Sequence, residues 1–180
     1  AFRPRNYIME LGWGQSIYDL SDSEVDIDLG VAARWLRSDL MAKADSYSAD
    51  LGLQSRFYSG TVIYDLAFVI QNVGRGTKFD KQRDSLPMRT KLGGAIRPIR
   101  PLLLSLEAGL PVDNAPYGAA GAEYTIETGP ALKTMVRAGF NSLTLKSLGP
   151  AASLNFGMGL SVSDLTFDYA FSPLGVLGAQ

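Results

Sequence analysis

An alternation of apolar and polar residues with a period of two runs through almost the whole chain and constrains the fold more than any other feature. In extended backbone successive side chains point to opposite faces, so such alternation describes a sheet with one apolar and one polar side. From Val25 the odd positions read Val25, Ile27, Leu29, Val31, Ala33 and Trp35, against Asp26, Asp28, Gly30, Ala32 and Arg34. Tyr47, Ala49, Leu51, Leu53 and Phe57 then oppose Ser48, Asp50, Gly52, Gln54 and Arg56. After a turn at Ser59-Gly60 the apolar set is Val62, Tyr64, Leu66, Phe68 and Ile70, opposed by Asp65 and Gln71. Two segments, 88–97 and 102–110, form a hairpin around Pro98 to Pro101, and further segments cover 120–127, 132–141, 153–162 and 165–171. With a less regular first strand around Tyr7 to Tyr18, this predicts about ten strands and no amphipathic helix.

Several of these strands have ten residues or more, against ~5–6 in an average globular strand and ~9–11 in a strand that crosses a bilayer at a tilt. Each offers four or five bulky apolar side chains on one face, more than the inside of a small barrel holds. Pointed outward into lipid they fit, and the opposite face of Gly, Ser, Asn and charges of both signs suits a polar lumen. The expected fold is therefore all-β, an antiparallel transmembrane β-barrel over residues 1–180. The alternative is a soluble two-sheet sandwich with apolar faces packed together and polar faces in water, which gives the same alternation. The longest apolar stretches, such as Leu66 to Ile70, fall far short of the ~18 residues of a membrane helix.

Composition narrows the chemistry. The 180 residues include no Cys and no His. That excludes disulfides, thiolate nucleophiles, imidazole bases and the usual zinc ligands, so neither an enzyme nor a metal or other cofactor is expected. With 17 basic against 18 acidic residues the net charge is −1, without the clustered positive excess that nucleic-acid binding needs. The start, AFRPRNY, does not read as a signal peptide.

The candidate functional residues are the charges on the polar face: Asp26, Asp28, Arg34, Arg56, Arg89, Lys91, Glu107, Glu123, Glu127, Lys133 and Arg137. If the later strands pair in order, positive meets negative at two of three seams, between Arg89, Lys91 and Arg97, then Glu107, then Glu123 and Glu127, then Lys133 and Arg137. Such a set either selects solutes at a charged constriction or neutralises itself as a lattice of ion pairs. Asp26 and Asp28 share a face, as a carboxylate pair for acid–base or calcium chemistry would, but without further ligands they are expected to pair with Arg34 or Arg56. The run Asn72-Val-Gly-Arg-Gly76 follows a strand with no helix after it and reads as a loop, not a phosphate cradle. The other expected loops are Ala42 to Asp45, Gly74 to Ser85 and Asn141 to Gly149. Several of Trp13, Trp35, Tyr18, Tyr47, Tyr58, Tyr117 and Tyr169 fall near expected strand ends, where an interfacial girdle would place them.

The segment Val69 to Pro98 contains Gln71, Asn72 and Gly74, then Lys78, Phe79 and Asp80, then Leu86, Pro87, Arg89 and Gly93-Gly94. It resembles the PorV/PorQ group of bacterial outer-membrane proteins, relatives of the FadL-type long-chain fatty-acid transporters. The ending LTFDYAFSPLGVLGAQ is also similar to that group, with Val176 where the family pattern has Asp. The likeness extends from about Val25 to the C-terminus through turn and strand motifs, which imply architecture more firmly than activity. It implies a fourteen-stranded barrel, of which this chain would be a fragment lacking early strands and the closing one. It also implies a bacterial outer-membrane location and contact with membrane lipid. Two functions follow from the resemblance. One is transport of a hydrophobic or amphipathic small molecule such as a long-chain fatty acid; the other is a PorV-like role in type IX secretion, binding and shuttling secreted protein cargo.

Overall fold

The structure, a computed structural model, describes residues 5–19, 25–39, 43–76, 78–79, 82–83, 85–129 and 131–173. Expectations that fall on Asp80, Pro130 or Val176, or on the extreme N-terminus, lie outside these residues. The strands are β1 (Arg5–Asp19), β2 (Val25–Asp39), β3 (Lys43–Ser59), β4 (Val62–Arg75), β5 (Lys78–Phe79), β6 (Gln82–Arg83), β7 (Arg89–Ile99), β8 (Leu102–Pro111), β9 (Tyr117–Glu127), β10 (Leu132–Asn141), β11 (Leu154–Val162) and β12 (Leu165–Phe171). Ten of them form one antiparallel sheet in the order β1-β2-β3-β4-β7-β8-β9-β10-β11-β12, while β5 and β6 pair separately. The order has β1 and β12 at its ends, and no pairing joins those two among the described residues. An all-β antiparallel sheet of ten strands is thus what the period of two produces.

By contacts the chain divides into two compact units. The first comprises 1–55, 67–92 and 110–115 and holds β1, β2 and the greater part of β3 and β4. The second comprises 56–66, 93–109 and 116–180 and holds most of β7 and β8 together with β9 to β12.

Turn chemistry sets the register. Gly60, at φ 61, sits in the two-residue turn between β3 and β4, and Ser163, at φ 52, in that between β11 and β12. Positive φ matches a tight turn to the twist of the strands it joins. In the second unit the register then lines up rows across five strands. Leu102 lies opposite Tyr124, Tyr124 opposite Val136, Val136 opposite Met158 and Met158 opposite Tyr169. A parallel row runs through Glu123, Arg137, Gly157 and Ala170 on the other face.

Burial follows these rows in the sense opposite to a water-soluble protein. The apolar row is exposed, with Tyr124 at 48%, Val136 at 47%, Met158 at 59% and Tyr169 at 66%. In the first unit Met9, Leu11, Trp13, Tyr47 and Leu51 are exposed as well. Polar-face neighbours such as Asp50, Gln54, Glu123 and Arg137 are half-buried instead. Among the described residues the only buried apolar side chain is Ala152. Within each unit, then, the rows that alternation makes apolar are the exposed ones.

Four local expectations are corrected. Asn72 to Arg75 is not a loop but the end of β4, because Asn72 takes a left-handed φ of 60 and its N–H donates to Asp50 Oδ1 at 2.8 Å, keeping the strand attached. Gly74 is needed there for close approach, since a Cβ would collide with the Tyr47 carbonyl oxygen. β3 already begins at Lys43, inside the expected loop 42–45, and the expected loop 74–85 contains the short β5–β6 pairing, Lys78 opposite Arg83. The connection after β10 holds a four-residue helix, α1 (Leu145–Leu148), and a 3-10 turn at Pro150–Ser153. No helix is long and apolar enough to cross a membrane among the described residues.

Candidate functional site

The polar face is built from short-range rules: one side chain in two points to it, and pairing decides which charges meet. In the first unit the centre is Arg34 on β2. Its register partner on β1 is Glu10, and Arg34 Nε donates to Glu10 Oε2 at 2.8 Å. Its Nη1 donates to Asn72 Oδ1 at 3.1 Å and its Nη2 to Asp50 Oδ2 at 3.4 Å. Asn72 in turn donates through Nδ2 to the Pro87 carbonyl at 3.0 Å. One guanidinium therefore serves β1, β3 and β4, using the planar fork that makes arginine suited to several oxygen acceptors at once.

In the second unit Asp65 on β4 holds two arginines, Arg56 through Oδ1 at 2.6 Å and Arg97 through Oδ2 at 3.0 Å. Farther along, Arg137 on β10 faces its register partner Glu123 on β9, with Nε donating to Oε2 at 2.6 Å. Its Nη1 crosses β11 to Asp168 on β12, at 2.5 Å. That reach depends on glycines. A Cβ at Gly159 would lie 2.7 Å from Asp168 Oδ1 and 3.4 Å from Arg137 Nη1, and one at Gly157 would press on the Arg137 stem at 3.4 Å. Lys133 and Glu127, again register partners, pair at 3.1 Å with both side chains mostly exposed.

The structure thus brings together Glu123 with Arg137 and Glu127 with Lys133, as expected of the β9–β10 seam. Glu107 on β8 lies opposite Ala119 of β9 and accepts a hydrogen bond from Tyr117 at 3.2 Å. Arg89 is exposed and holds no ion pair among the described residues, so it does not join the lattice. Lys91 is half-buried on β7. For Asp28 the expected pairing with Arg34 or Arg56 is corrected: six residues of strand, ~20 Å, separate it from Arg34, which Glu10 and Asp50 hold instead, and its side chain has no ion pair among the described residues. Arg56 is held by Asp65.

Sequence reasoning left Glu10, Asp50, Asp65, Asn72, Arg97 and Asp168 out of the candidate set. The signal was present in parity, because Asp50, Asp65, Arg97 and Asp168 fall on polar positions of their strands. Choosing among such positions required the register. The expected aromatic girdle is partly redistributed. Tyr47 lies near a strand end and is exposed, whereas Trp13 and Tyr169 are exposed in mid-strand. Tyr117 turns onto the polar face, where its ring lies so close over buried Gly109 that a Cβ there would overlap it. No group of His, Cys, Asp and Glu able to hold a metal occurs among the described residues.

Chemically, most charges of this face are satisfied by one another, with Asp28 and Arg89 left without an ion pair among the described residues. It is polar and largely self-neutralised, and it is lined by glycines where guanidinium groups need room. Comparison with protein-family models, with curated proteins and with solved structures gives no match, so the functional reading rests on this geometry and on the motifs in the sequence.

Proposed function

We propose that this chain belongs to an outer-membrane β-barrel that transports a hydrophobic or amphipathic small molecule, in the manner of the FadL-like group. The observation that supports it is the inverted burial: Leu106, Phe156, Met158, Phe167 and Tyr169 are exposed while the charged face pairs with itself. Apolar surface in water costs about 25 cal/mol per Å², and soluble monomers rarely show contiguous apolar patches beyond a few hundred Å². Hydrocarbon removes that cost and accepts a backbone whose N–H and C=O groups are bonded between strands. Strands of 9 to 17 residues from β1 to β11, the short β5–β6 pair aside, suit the ~9–11 needed to cross at a tilt.

In lipid the ends of the sheet must be joined, since unpaired edge groups cost several kcal/mol each, and closure of the barrel is part of the proposal. The polar face then lines the passage. The substrate class comes from the resemblance to FadL-type proteins, with long-chain fatty acids as its first candidates.

The test is to express the protein in a bacterial host, separate soluble from outer-membrane fractions, and run the membrane fraction with and without boiling. Membrane recovery with a heat-dependent shift in mobility is expected, followed by faster uptake of a labelled long-chain fatty acid in expressing cells. Recovery in the soluble fraction without a shift would sink the barrel. Membrane recovery without uptake, but with secreted protein co-purifying, would move the function to cargo binding.

A further inference from the structure

We infer that a cleft in the first unit binds an organic cation, a molecule carrying an ammonium or guanidinium group on an apolar body. The cleft has a volume of about 490 Å³ and is lined by Asp28, Gln54, Gly14, Gly30, Gly52 and Val69, among others. That volume lies within the range of small-molecule sites, roughly 300–1,000 Å³. The inference goes beyond the transport reading and does not require it, because the cleft is formed by β1 to β4 alone.

The first argument is charge. On the polar face of this unit Glu10 and Asp50 both hold Arg34. The side chain of Asp28, half-buried on the same face, has neither an ion pair nor a hydrogen bond among the described residues, and neither does that of Gln54, which also lines the cleft. A carboxylate and an amide carbonyl are thus left open to a donor. A positive group meets both, whereas an anion meets repulsion from Asp28. A bare metal ion would find one carboxylate where calcium takes six to eight oxygens.

The second argument is space. On the polar face of the second unit, three glycines stand where a side chain would collide, Gly109 under Tyr117, Gly121 with a Cβ position 2.8 Å from Ser105 Oγ, and Gly159 beneath Arg137 and Asp168, while Gly139 meets only the Ala120 carbonyl oxygen, at 3.7 Å. The cleft glycines have no such cause. A Cβ at Gly30 would meet only the Trp13 carbonyl oxygen, at 4.0 Å, and one at Gly52 would meet Val69 Cγ2 at 3.8 Å, both ordinary contacts. None of the three has a positive φ that demands glycine. Glycine within a strand weakens it, so three of them across adjacent strands with room for side chains keep a hollow open at a cost in stability. With Ala67 and Val69 the hollow has an apolar wall for the body of the ligand, and Asp28 receives its charged end.

The test uses the full chain folded in detergent or, if it proves soluble, in buffer. Three fluorescent probes share one body: dansylcadaverine, which carries a primary ammonium; its N-acetyl derivative, which is neutral; and dansyl-aminohexanoate, which is an anion. The expected result is binding of the amine about fivefold or more tighter than the neutral probe, with the anion weakest. Asp28→Asn removes the preference for the amine while preserving shape, and Gly52→Val weakens all probes by filling the hollow. Asp164→Asn, in the β11–β12 turn, leaves binding unchanged. Equal binding of amine and neutral probe, or an amine preference that survives Asp28→Asn, overturns the inference. Should Asp28→Asn fail to fold, Gly52→Val decides, and undiminished amine binding in that variant overturns it equally. Folding is scored separately by circular dichroism, and the membrane reading by fractionation, so the two can fail independently.

Discussion

Arg137 shows how much a single side chain does on this sheet. It bonds Glu123 on one side and Asp168 on the other, spanning β9 to β12, with its own side chain about a third exposed at 35%. Charged hydrogen bonds contribute ~1.5–3 kcal/mol, but screening by solvent at this exposure lowers the figure, so Arg137→Ala should cost about 1–2 kcal/mol in urea unfolding. A double-mutant cycle with Asp168→Asn should show coupling, and simple additivity would mean the pair contributes nothing. The glycines give a sharper contrast. Gly159→Ala should destabilise by up to about 1 kcal/mol, because the Asp168 carboxylate, Met135 Cε and the Arg137 guanidinium must shift and loosen the ion pair, whereas Gly30→Ala should be neutral or stabilise by up to ~1 kcal/mol. Parity placed both glycines on the polar face. Only the register told which of them lies under a guanidinium.

At the scale of elements, hairpins and one irregular strand end carry the arrangement. Gly60 at φ 61 turns β3 into β4, and an alanine there should cost about 1–2 kcal/mol, read in the same unfolding assay. Asn72 holds a similar φ within a strand and is anchored by Asp50, Arg34 and the Pro87 carbonyl. Asn72→Gly keeps the conformation and loses the side-chain bonds, so it should be milder than Asn72→Ala, which loses both; the reverse order would show that the left-handed backbone is unimportant. The ten long strands were legible from alternation, with turns at Ser59-Gly60 and near Pro98 to Pro101 found where glycine and proline marked them. The end of β4 was not. Its Asn, Gly and Arg read as loop residues because composition reports solvent preference, and the contacts that keep them in the strand come from β3 and from Pro87.

For the molecule as a whole, the question is what medium meets the apolar rows. Leu106 is 70% exposed in the middle of β8. In water, replacing it by arginine would be nearly neutral or favourable. In a bilayer Leu106→Arg should destabilise by about 2–4 kcal/mol if the site lies near the midplane, less toward the interfaces. Unfolding of the variant in lipid vesicles separates the two, and a change within about 0.5 kcal/mol would speak against lipid at this face.

By itself the sequence determined that the chain forms long antiparallel strands with one apolar and one polar face, since a side-chain period of two is a local property of extended backbone. It also determined what chemistry is absent, as no arrangement can supply a thiolate or imidazole the chain lacks. Tertiary structure decided which face is open and which charges meet. The same alternation serves a sandwich or an outward-facing sheet, and only the paired strands leave Met158 and Tyr169 exposed while Arg137 reaches Asp168. Pairing also separated the carboxylates that neutralise an arginine from Asp28, which no arginine pairs with among the described residues. Those choices depend on contacts between residues 14 to 38 positions apart, and local pattern carries no information at that range.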